Sequence, residues 1–252
     1  LDSKFICILS KVSSAKQKWG TFFMCDIQIK NLNLYKIAAF DFDGTLIKSD
    51  SYTKFVNFLL NNYYNFENKR ILRKICYKLL LFMYSRKIIS NDILKKALTL
   101  ILFRGLKYSE LKSISNRIYA DLKNDINVYI FEQLINFLNN PDYFVVVVSA
   151  TPKEIVKQIM VRLLADYGVS FNEVNILILG SIFEYKNGND FICKLKLNMY
   201  HKRKEEFLKK LGIHSIEILS TDSIKADFPI IKMARKLILV KQDTLEELSI
   251  YD

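Results

Sequence analysis

Outside residues 50–140, the chain alternates short apolar runs with amphipathic stretches. Residues 153–168 and 202–212 repeat apolar positions at helical spacing, and each stretch ends in glycine, which is typical of a helix C-terminus. Strands that alternate with helices in this way predict an α/β fold built on a parallel sheet. Five apolar runs have the length and composition of buried strands: YKIAAF (35–40), YFVVVVS (143–149), VNILILG (174–180), SIEILS (215–220) and KLILVK (236–241).

A segment of about ninety residues interrupts this alternation, and its apolar spacing predicts helices throughout. Its clearest helical patterns are RILRKICYKLLLFMYS (70–85), NDILKKALTLILF (91–103) and SELKSISNRIYADL (109–122). The second of these begins with Asn91 or Asp92, and both residue types commonly cap helix N-termini.

These patterns predict the domain organisation. We expect an all-α cap domain at 50–140, inserted into an α/β core that comprises 34–49 and 141–252. Residues 1–33 are expected to be an N-terminal extension to which the sequence assigns no role. Within it, Met24 is a candidate for the true start of the protein.

The chain is strongly basic, with 38 Lys and Arg against 26 Asp and Glu and a net charge of +12. Residues 50–140 hold 15 Lys and Arg against 7 Asp and Glu, so most of the excess lies in the predicted cap. An excess of this size favours anionic partners, namely nucleic acid, acidic lipid or phosphorylated small molecules. The four cysteines lie far apart without a CxxC pair, which argues against a zinc site and for a reducing compartment. No apolar run reaches the ~18 residues of a membrane span.

Two aspartates, Asp41 and Asp43, follow the first predicted strand in the sequence KIAAFDFDGTL. Carboxylates this close repel one another unless a cation or a shared proton compensates, and Mg²⁺ prefers such oxygen ligands. Gly44 permits a tight turn with exposed backbone N–H groups, and Thr45 adds a hydroxyl. The alternative is an ordinary turn after a strand, where Asp and Gly are common.

Two later strands also end in polar residues. Ser149 ends the strand of four valines and precedes a helix, so its hydroxyl and the free N–H groups predict an anion site. Asp222 and Asp227 follow the fourth strand and are candidates to complete a metal site with Asp41. The alternatives are a simple helix cap at Ser149 and loop aspartates that cap a helix.

In this order, the motifs resemble those of the haloacid dehalogenase superfamily, from about Tyr35 to about Val240. The motifs are DFDGT (41–45), Ser149 in SATP, a lysine that opens a helix with leucine four residues on, and TDSIKAD (221–227). Lys204 with Leu208 fits the third motif best, and Lys202 is the runner-up. A cap inserted between the first two motifs is similar to that of the phosphoserine-phosphatase-like branch. The resemblance implies a Rossmann-like core and a phosphatase.

The resemblance also implies roles for these residues. Asp41 would be the nucleophile that forms an aspartyl-phosphate, and Asp43 would be the general acid and base. Mg²⁺ would be held by Asp41, Asp222 and the backbone carbonyl of Asp43. Asp227 would support these ligands without binding the metal directly. The phosphate-binding residues would be Gly44, Thr45, Ser149, Ala150 and Lys204.

Two departures from the family pattern stand out. The family often has glycine before the first aspartate of the fourth motif, where this chain has Thr221. Gly44 stands where phosphoserine phosphatases prefer another residue, which argues against phosphoserine as the substrate. In the cap, Arg104 is a candidate substrate contact, although an exposed arginine at a helix end is the simpler interpretation.

We therefore expect a Mg²⁺-dependent phosphatase that acts on a phosphorylated small molecule or a lipid head group. A phosphotransferase with the same chemistry, or a non-catalytic module that binds anionic membrane or nucleic acid, is the alternative. No specific nucleic-acid partner is expected. A cytoplasmic location is expected, with peripheral membrane contact through the basic helix at 70–85 as a further possibility.

Overall fold

A seven-stranded sheet is the framework of residues 33–252 in the computed structural model, which describes residues 32–64, 70–171, 175–186, 191–241 and 244–249. The strand order is β4-β3-β2-β1-β5-β6-β7. The five central strands, β3, β2, β1, β5 and β6, are parallel, whereas β4 and β7 pair antiparallel at the two edges. The strands are β1 (Lys36–Phe40), β2 (Tyr143–Pro152), β3 (Ile176–Tyr185), β4 (Ile192–Leu197), β5 (Ile216–Thr221), β6 (Ala234–Lys241) and β7 (Thr244–Ser249).

The central strands are buried on both faces, as their continuous apolar runs predict. Val145, Val146, Val147 and Val148 of β2 are all 0 % exposed. The first strand, β1, lies between β2 and β5, and Ala39 is in register with Val146 on one side. The predicted α/β fold with a parallel sheet is confirmed.

The edge strands β4 and β7 were not predicted. Their sequences, ICKLKL and TLEELS, mix charged with apolar residues and lack the continuous apolar run of a buried strand. An antiparallel edge strand with one solvated side has this composition. A search for long apolar runs therefore does not distinguish such a strand from a loop.

Between β1 and β2, every described element is helical. These helices are α1 (Ser51–Phe58), α2 (Arg70–Ser85), α3 (Asn91–Leu98), α4 (Tyr108–Leu122) and α5 (Val128–Leu138). The π-helical turns Leu59–Tyr63 and Thr99–Phe103 extend α1 and α3, and 3-10 turns lie at Leu32–Leu34 and Lys123–Asp125. After β2 come α6 (Lys153–Asp166), α7 (Lys202–Lys210) and α8 (Ile224–Ile231).

A row of aromatic rings joins the inserted helices to the sheet. Phe103 stacks on Tyr52 and Phe55, with ring centroids 5.6 and 5.4 Å apart, and lies 5.3 Å from Phe183 of β3. All four belong to one hydrophobic cluster that also includes Val145 and Val147 of β2. Helix α5 packs on β1 and β2, at the end of the inserted segment. The boundaries of a separate cap at 50–140 stay a prediction.

The predicted N-cap of α3 was wrong. Ser90 caps this helix, since its Oγ accepts a hydrogen bond from the Ile93 N–H at 3.3 Å. Asn91 instead accepts a hydrogen bond from the side chain of Asn198, at 3.0 Å, and is therefore committed to a contact between α3 and the core.

Two further predictions concern the chain ends and membranes. Residues 1–31, including Met24, lie outside the described residues, so the predicted extension at 1–33 stays a prediction. None of the helices in the described part of the chain has the length and apolar character needed to cross a membrane.

Gly180 of β3 is expected to be essential for packing at the end of β2. A Cβ on Gly180 would lie 2.6 Å from both the Lys153 amide nitrogen and the Thr151 carbonyl oxygen, and backbone atoms cannot move aside locally. Gly180→Ala should therefore lower the free energy of unfolding by about 2 kcal/mol, measured by urea titration.

Gly212→Ala is the matched control for that measurement. Gly212 has a φ of +83° but no atom within 4 Å of an added Cβ, so only the backbone penalty of about 1 kcal/mol is expected. A loss at Gly212 as large as that at Gly180 would contradict the steric explanation.

Candidate active site

The carboxyl ends of the parallel strands bring the polar motifs to one edge of the sheet, as expected for this topology. A cavity of about 240 Å³ opens there. Asp41 lies directly after β1, Ser149 lies in the last part of β2, and Asp222 follows β5. The remaining lining residues are Asp43, Asp50, Asn91, Lys95, Ala150, Thr151, Tyr200, Lys204, Ser223, Ala226 and Asp227.

A buried lysine joins the two aspartates at the back of the cavity. The Lys204 ammonium lies 2.7 Å from Asp41 Oδ1 and 2.7 Å from Asp227 Oδ1. Only 4 % of Lys204 is exposed, because α7 directs this side chain inward. Lys202 is exposed at the start of the same helix, so Lys204 is the lysine that reaches Asp41.

Thr221 holds Asp227 in place. Its hydroxyl donates a hydrogen bond to Asp227 Oδ2 at 2.7 Å, and it accepts one from the Ser223 N–H at 3.2 Å. Asp227 is 1 % exposed. Thr221 therefore has a structural role. It holds the carboxylate of Asp227, which in turn contacts the ammonium of Lys204.

Three donors hold the carboxylate of Asp43. Its Oδ1 accepts a hydrogen bond from the Ser51 N–H at the start of α1, at 2.7 Å. Its Oδ2 accepts hydrogen bonds from the hydroxyls of Thr151, at 2.7 Å, and Ser149, at 3.2 Å. Asp43 thus links the first inserted helix to β2, and the hydroxyl of Ser149 is held beside it.

Glycine is required at position 44 for two reasons. Gly44 has a φ of +81°, in the left-handed region that favours glycine. A Cβ at this position would also lie 2.3 Å from Asp222 Oδ2. The absence of a side chain therefore lets the carboxylate of Asp222 close on the turn that carries Asp41 and Asp43.

Negative charge exceeds positive charge around the cavity, where five aspartates and two lysines line the wall. Burial raises the pKa of Asp41 to about 8; Lys204 lowers it, but Asp227 and Asp43 raise it further. Burial opposes the charged form of Lys204, but Asp41 and Asp227 outweigh this and raise its pKa above the usual value. Both shifts point to an excess of negative charge that a further cation would balance.

Burial also raises the pKa values of the other two carboxyls. For Asp43, burial and the charge of Asp50 raise the pKa, and the hydrogen bonds from Ser51 and Thr151 partly oppose the rise. For Asp222, burial and the charge of Asp227 raise it. A carboxyl with a raised pKa is suited to hold a proton near neutral pH, as a general acid must.

The donor set fits a magnesium ion. Among the residues that the structure describes, no three His, Cys, Asp or Glu side chains are grouped so as to hold a metal by themselves. Mg²⁺ commonly binds through one or two carboxylates and keeps several waters. Asp41 and Asp222 both line the cavity beside the surplus negative charge, so two carboxylates are available there for such an ion.

Three of the predicted site residues lie apart from the cavity wall. Thr45 is fully buried, and its hydroxyl has no hydrogen-bond partner. The N–H of Gly44 donates to the Ile47 carbonyl oxygen at 2.6 Å, within the turn. Arg104 is exposed just after the π-helical turn that extends α3. Their roles toward phosphate and substrate stay predictions.

Sequence reasoning missed the cavity residues of the inserted helices. Lys95 of α3 donates to the Ala150 carbonyl oxygen at 2.6 Å, and its ammonium lies 4.8 Å from the centroid of the Tyr52 ring. Burial lowers the pKa of Lys95 to about 8, against the opposing charges of Asp43 and Asp50. No local motif marks Lys95, because only the fold of the insertion brings α3 over β2.

Comparisons with known proteins agree with this arrangement. The family model described as haloacid dehalogenase-like hydrolase matches residues 38–225, from the middle of β1 to the first residues of α8. No curated protein matches the chain. Several solved structures do, and because their sequence identities lie below 25 %, they bear on the fold alone.

Three of these structures have TM-scores above 0.5. A protein of unknown function from Bordetella pertussis Tohama I has a TM-score of 0.61 at 17 % identity, over 81 % of this chain and 90 % of its own. A phosphoserine phosphohydrolase-like protein from Francisella tularensis scores 0.51 at 22 % identity, over 81 % and 86 %. A functionally unknown protein from Anaerococcus prevotii scores 0.52 at 14 % identity, over 82 % and 78 %.

Removal of the Thr221 hydroxyl should disturb the buried charges. Thr221→Val keeps the shape but leaves Asp227 Oδ2 without its donor, so the free energy of unfolding should fall by about 2 kcal/mol. Thr221→Ser keeps the hydroxyl and should lose less. Urea unfolding of the two variants tests this; equal losses would show that the hydroxyl does not hold Asp227.

The metal-free protein should become less stable as the pH rises. Asp41 binds its proton more tightly in the folded protein, with a pKa of about 8 against its usual 3.8, so its stabilising effect is complete below pH ~4 and is lost by about pH 8. The slope from this group is at most about 1.4 kcal/mol per pH unit.

Thermal unfolding in chelator, measured between pH 5 and pH 8, tests this expectation. Asp41→Asn should flatten the profile, and Mg²⁺ should stabilise the wild type more at the upper end of the range. A wild-type profile as flat as that of Asp41→Asn would contradict the raised pKa.

Proposed function

The chain belongs to the haloacid dehalogenase-like hydrolase family, and from this premise we propose that it is a Mg²⁺-dependent phosphatase that hydrolyses a phosphate monoester. The observation that carries the proposal is the placement of Asp41, Asp43 and Lys204 around one cavity at the carboxyl edge of the sheet. A nucleophile, a proton donor and a fixed cation are the groups that phosphoryl transfer through a covalent intermediate needs.

In the first half of the proposed reaction, a carboxylate oxygen of Asp41 attacks phosphorus, and the bond between phosphorus and the leaving oxygen breaks. Asp43 gives its proton to that oxygen, so the product alcohol departs neutral. The raised pKa of Asp43 supports this role, because a buried carboxyl retains a proton more readily.

In the second half, water attacks the phosphorus of the aspartyl-phosphate and the bond to Asp41 breaks. Asp43, now ionised, takes the proton from the water, and its carboxylate is oriented by the donors at Ser51 and Thr151. The free carboxylate of Asp41 is thereby restored.

Lys204 would supply positive charge to the phosphoryl oxygens, and the hydroxyl of Ser149 and backbone N–H groups near Ala150 would donate hydrogen bonds to them. Asp41 and Asp222, with the carbonyl of Asp43, would hold Mg²⁺, which when bound screens the repulsion between the nucleophile and the phosphate. Lys95 adds a second cation to the cavity wall, on the side of the inserted helices.

The substrate in this proposal is a phosphorylated small molecule or a lipid head group, and the inserted helices act as the cap that selects it. Peripheral contact with a membrane through the basic cap is a separate proposal, which does not depend on the phosphatase activity. The widely spaced cysteines support a cytoplasmic location, which stays a prediction.

Hydrolysis of p-nitrophenyl phosphate is the direct test. Turnover should require Mg²⁺ and stop with a chelator, and Asp41→Asn should lower it by about a thousandfold or more because the nucleophile is removed. Asp43→Asn should lower it by about a hundredfold or more through loss of the proton donor.

Asp142→Asn, a change of the same kind at an exposed carboxylate, is the matched control and should keep wild-type turnover. Turnover that survives in Asp41→Asn would contradict the mechanism. A protein that binds phosphate esters equally well with Asp41 or Asn at this position, without turnover, would be the anion-binding module instead.

A further inference from the structure

Helix α2 presents a continuous apolar face to solvent. None of its 16 residues is buried. Ile71 is 72 % exposed, Ile75 57 %, Leu79 56 % and Phe82 54 %. These residues recur every three or four positions, so they lie along one side of the helix. The exposed side is therefore a single apolar stripe.

The opposite side of α2 is anchored to the protein. Tyr77 and Leu80 pack against the hydrophobic core. The Arg73 guanidinium lies 3.6 Å from the centroid of the ring of Tyr64, the residue just after the π-helical turn that extends α1. The apolar stripe is thus the outer face of a packed helix, held in a fixed direction.

The charge around this stripe is of one sign. From 70 to 91 the sequence contains six Lys and Arg and neither Asp nor Glu: Arg70, Arg73, Lys74, Lys78, Arg86 and Lys87. Apolar residues on one side of a helix with cations beside them are the pattern of helices that lie in the interface of an anionic bilayer.

The same charges oppose pairing of two copies of the chain. In a two-fold dimer formed through this stripe, the cations of one α2 would face those of the other. No acidic residue within 70–91 is present to pair with them. The charge pattern therefore favours an anionic lipid surface over self-association.

We propose that the apolar face of α2, formed by Ile71, Ile75, Leu79 and Phe82, docks on an anionic lipid bilayer. The helix lies along the surface, because 16 residues span only about 24 Å, less than the hydrocarbon core of a bilayer. Its apolar side chains enter the interface, and Lys74, Lys78 and the cations at its C-terminal end contact lipid phosphates.

Docking in this way places the bilayer beside α2, which packs on α3, a helix that lines the cavity. Burial and the carboxylate of Asp50, a cavity residue, raise the pKa of Tyr77 of α2. Burial and Tyr84 of α2 likewise raise the pKa of Tyr200, another cavity residue. An encounter with a phosphorylated substrate at the bilayer surface follows only if the proposed phosphatase function holds; the docking itself does not depend on it.

Vesicle sedimentation of the full chain tests the docking. The protein should bind vesicles of phosphatidylcholine with phosphatidylglycerol, bind phosphatidylcholine alone far less, and dissociate as salt is raised. Ile75→Ser with Leu79→Ser should weaken binding to the anionic vesicles by about tenfold or more. Lys74→Gln with Lys78→Gln should weaken it by about tenfold.

Val128→Ser with Tyr129→Ser is the matched control, since these residues of α5 are 53 % and 50 % exposed but lie on another helix. This variant should bind as the wild type does. Equal binding to both kinds of vesicle, or unchanged binding by the α2 variants, would overturn the proposal. Self-association through α2 would also overturn it. In that case, light scattering would show a lower molar mass for the Ile75→Ser, Leu79→Ser variant than for the wild type, while vesicle binding stayed the same.

Turnover of p-nitrophenyl phosphate in solution separates the two proposals. The α2 variants should hydrolyse this soluble ester at the wild-type rate, because the changed side chains point away from the cavity. If the wild type binds anionic vesicles but hydrolyses nothing, the docking stands and the phosphatase function fails. If it hydrolyses the ester but ignores the vesicles, the reverse holds.

Discussion

The buried ion pair between Lys204 and two aspartates organises the site. Lys204 has almost no access to water, so removal of either carboxylate partner would leave a buried charge poorly compensated. Asp41 reaches it from the end of β1, and Asp227 reaches it from α8, with its second oxygen held by the hydroxyl of Thr221. Since β1 and β5 are neighbours in the sheet, one salt bridge ties together the two loops that would carry the nucleophile and the metal.

The sequence predicted the core better than the edges and the cap. Long apolar runs identified the five parallel strands, because a strand buried on both faces has few compatible compositions. The sequence predicted neither β4 nor β7, because these strands form by pairing with β3 and β6, and a local apolar pattern does not indicate such pairing. Asp41, Asp43, Ser149 and Asp222 stood out because each lies at or just after a strand end, where the fold must bring them together. Lys204, which lies in α7, was identified only through the resemblance to the third motif of the family.

The contribution of the inserted helices depends on tertiary packing. Lys95 and Asn91 occupy ordinary helical positions, and their contacts with Ala150 and Asn198 arise only when α3 packs over the core. The helical pattern of 70–85 favoured a cap core over a membrane surface. The structure shows that Tyr77 and Leu80 of α2 pack against the core, whereas Ile75 and Leu79 are exposed to solvent.

The central position of β1 has a consequence for how the molecule is made. Lys36 pairs with Tyr143, and Ala38 pairs with Ile218, so the partners of this strand emerge from the ribosome long after it does. Loop closure over such distances slows folding, and both neighbours must be present before the strand is enclosed. Asp41, the proposed nucleophile, is thus synthesised early, but the cavity around it can form only after β5 and α8 have been made.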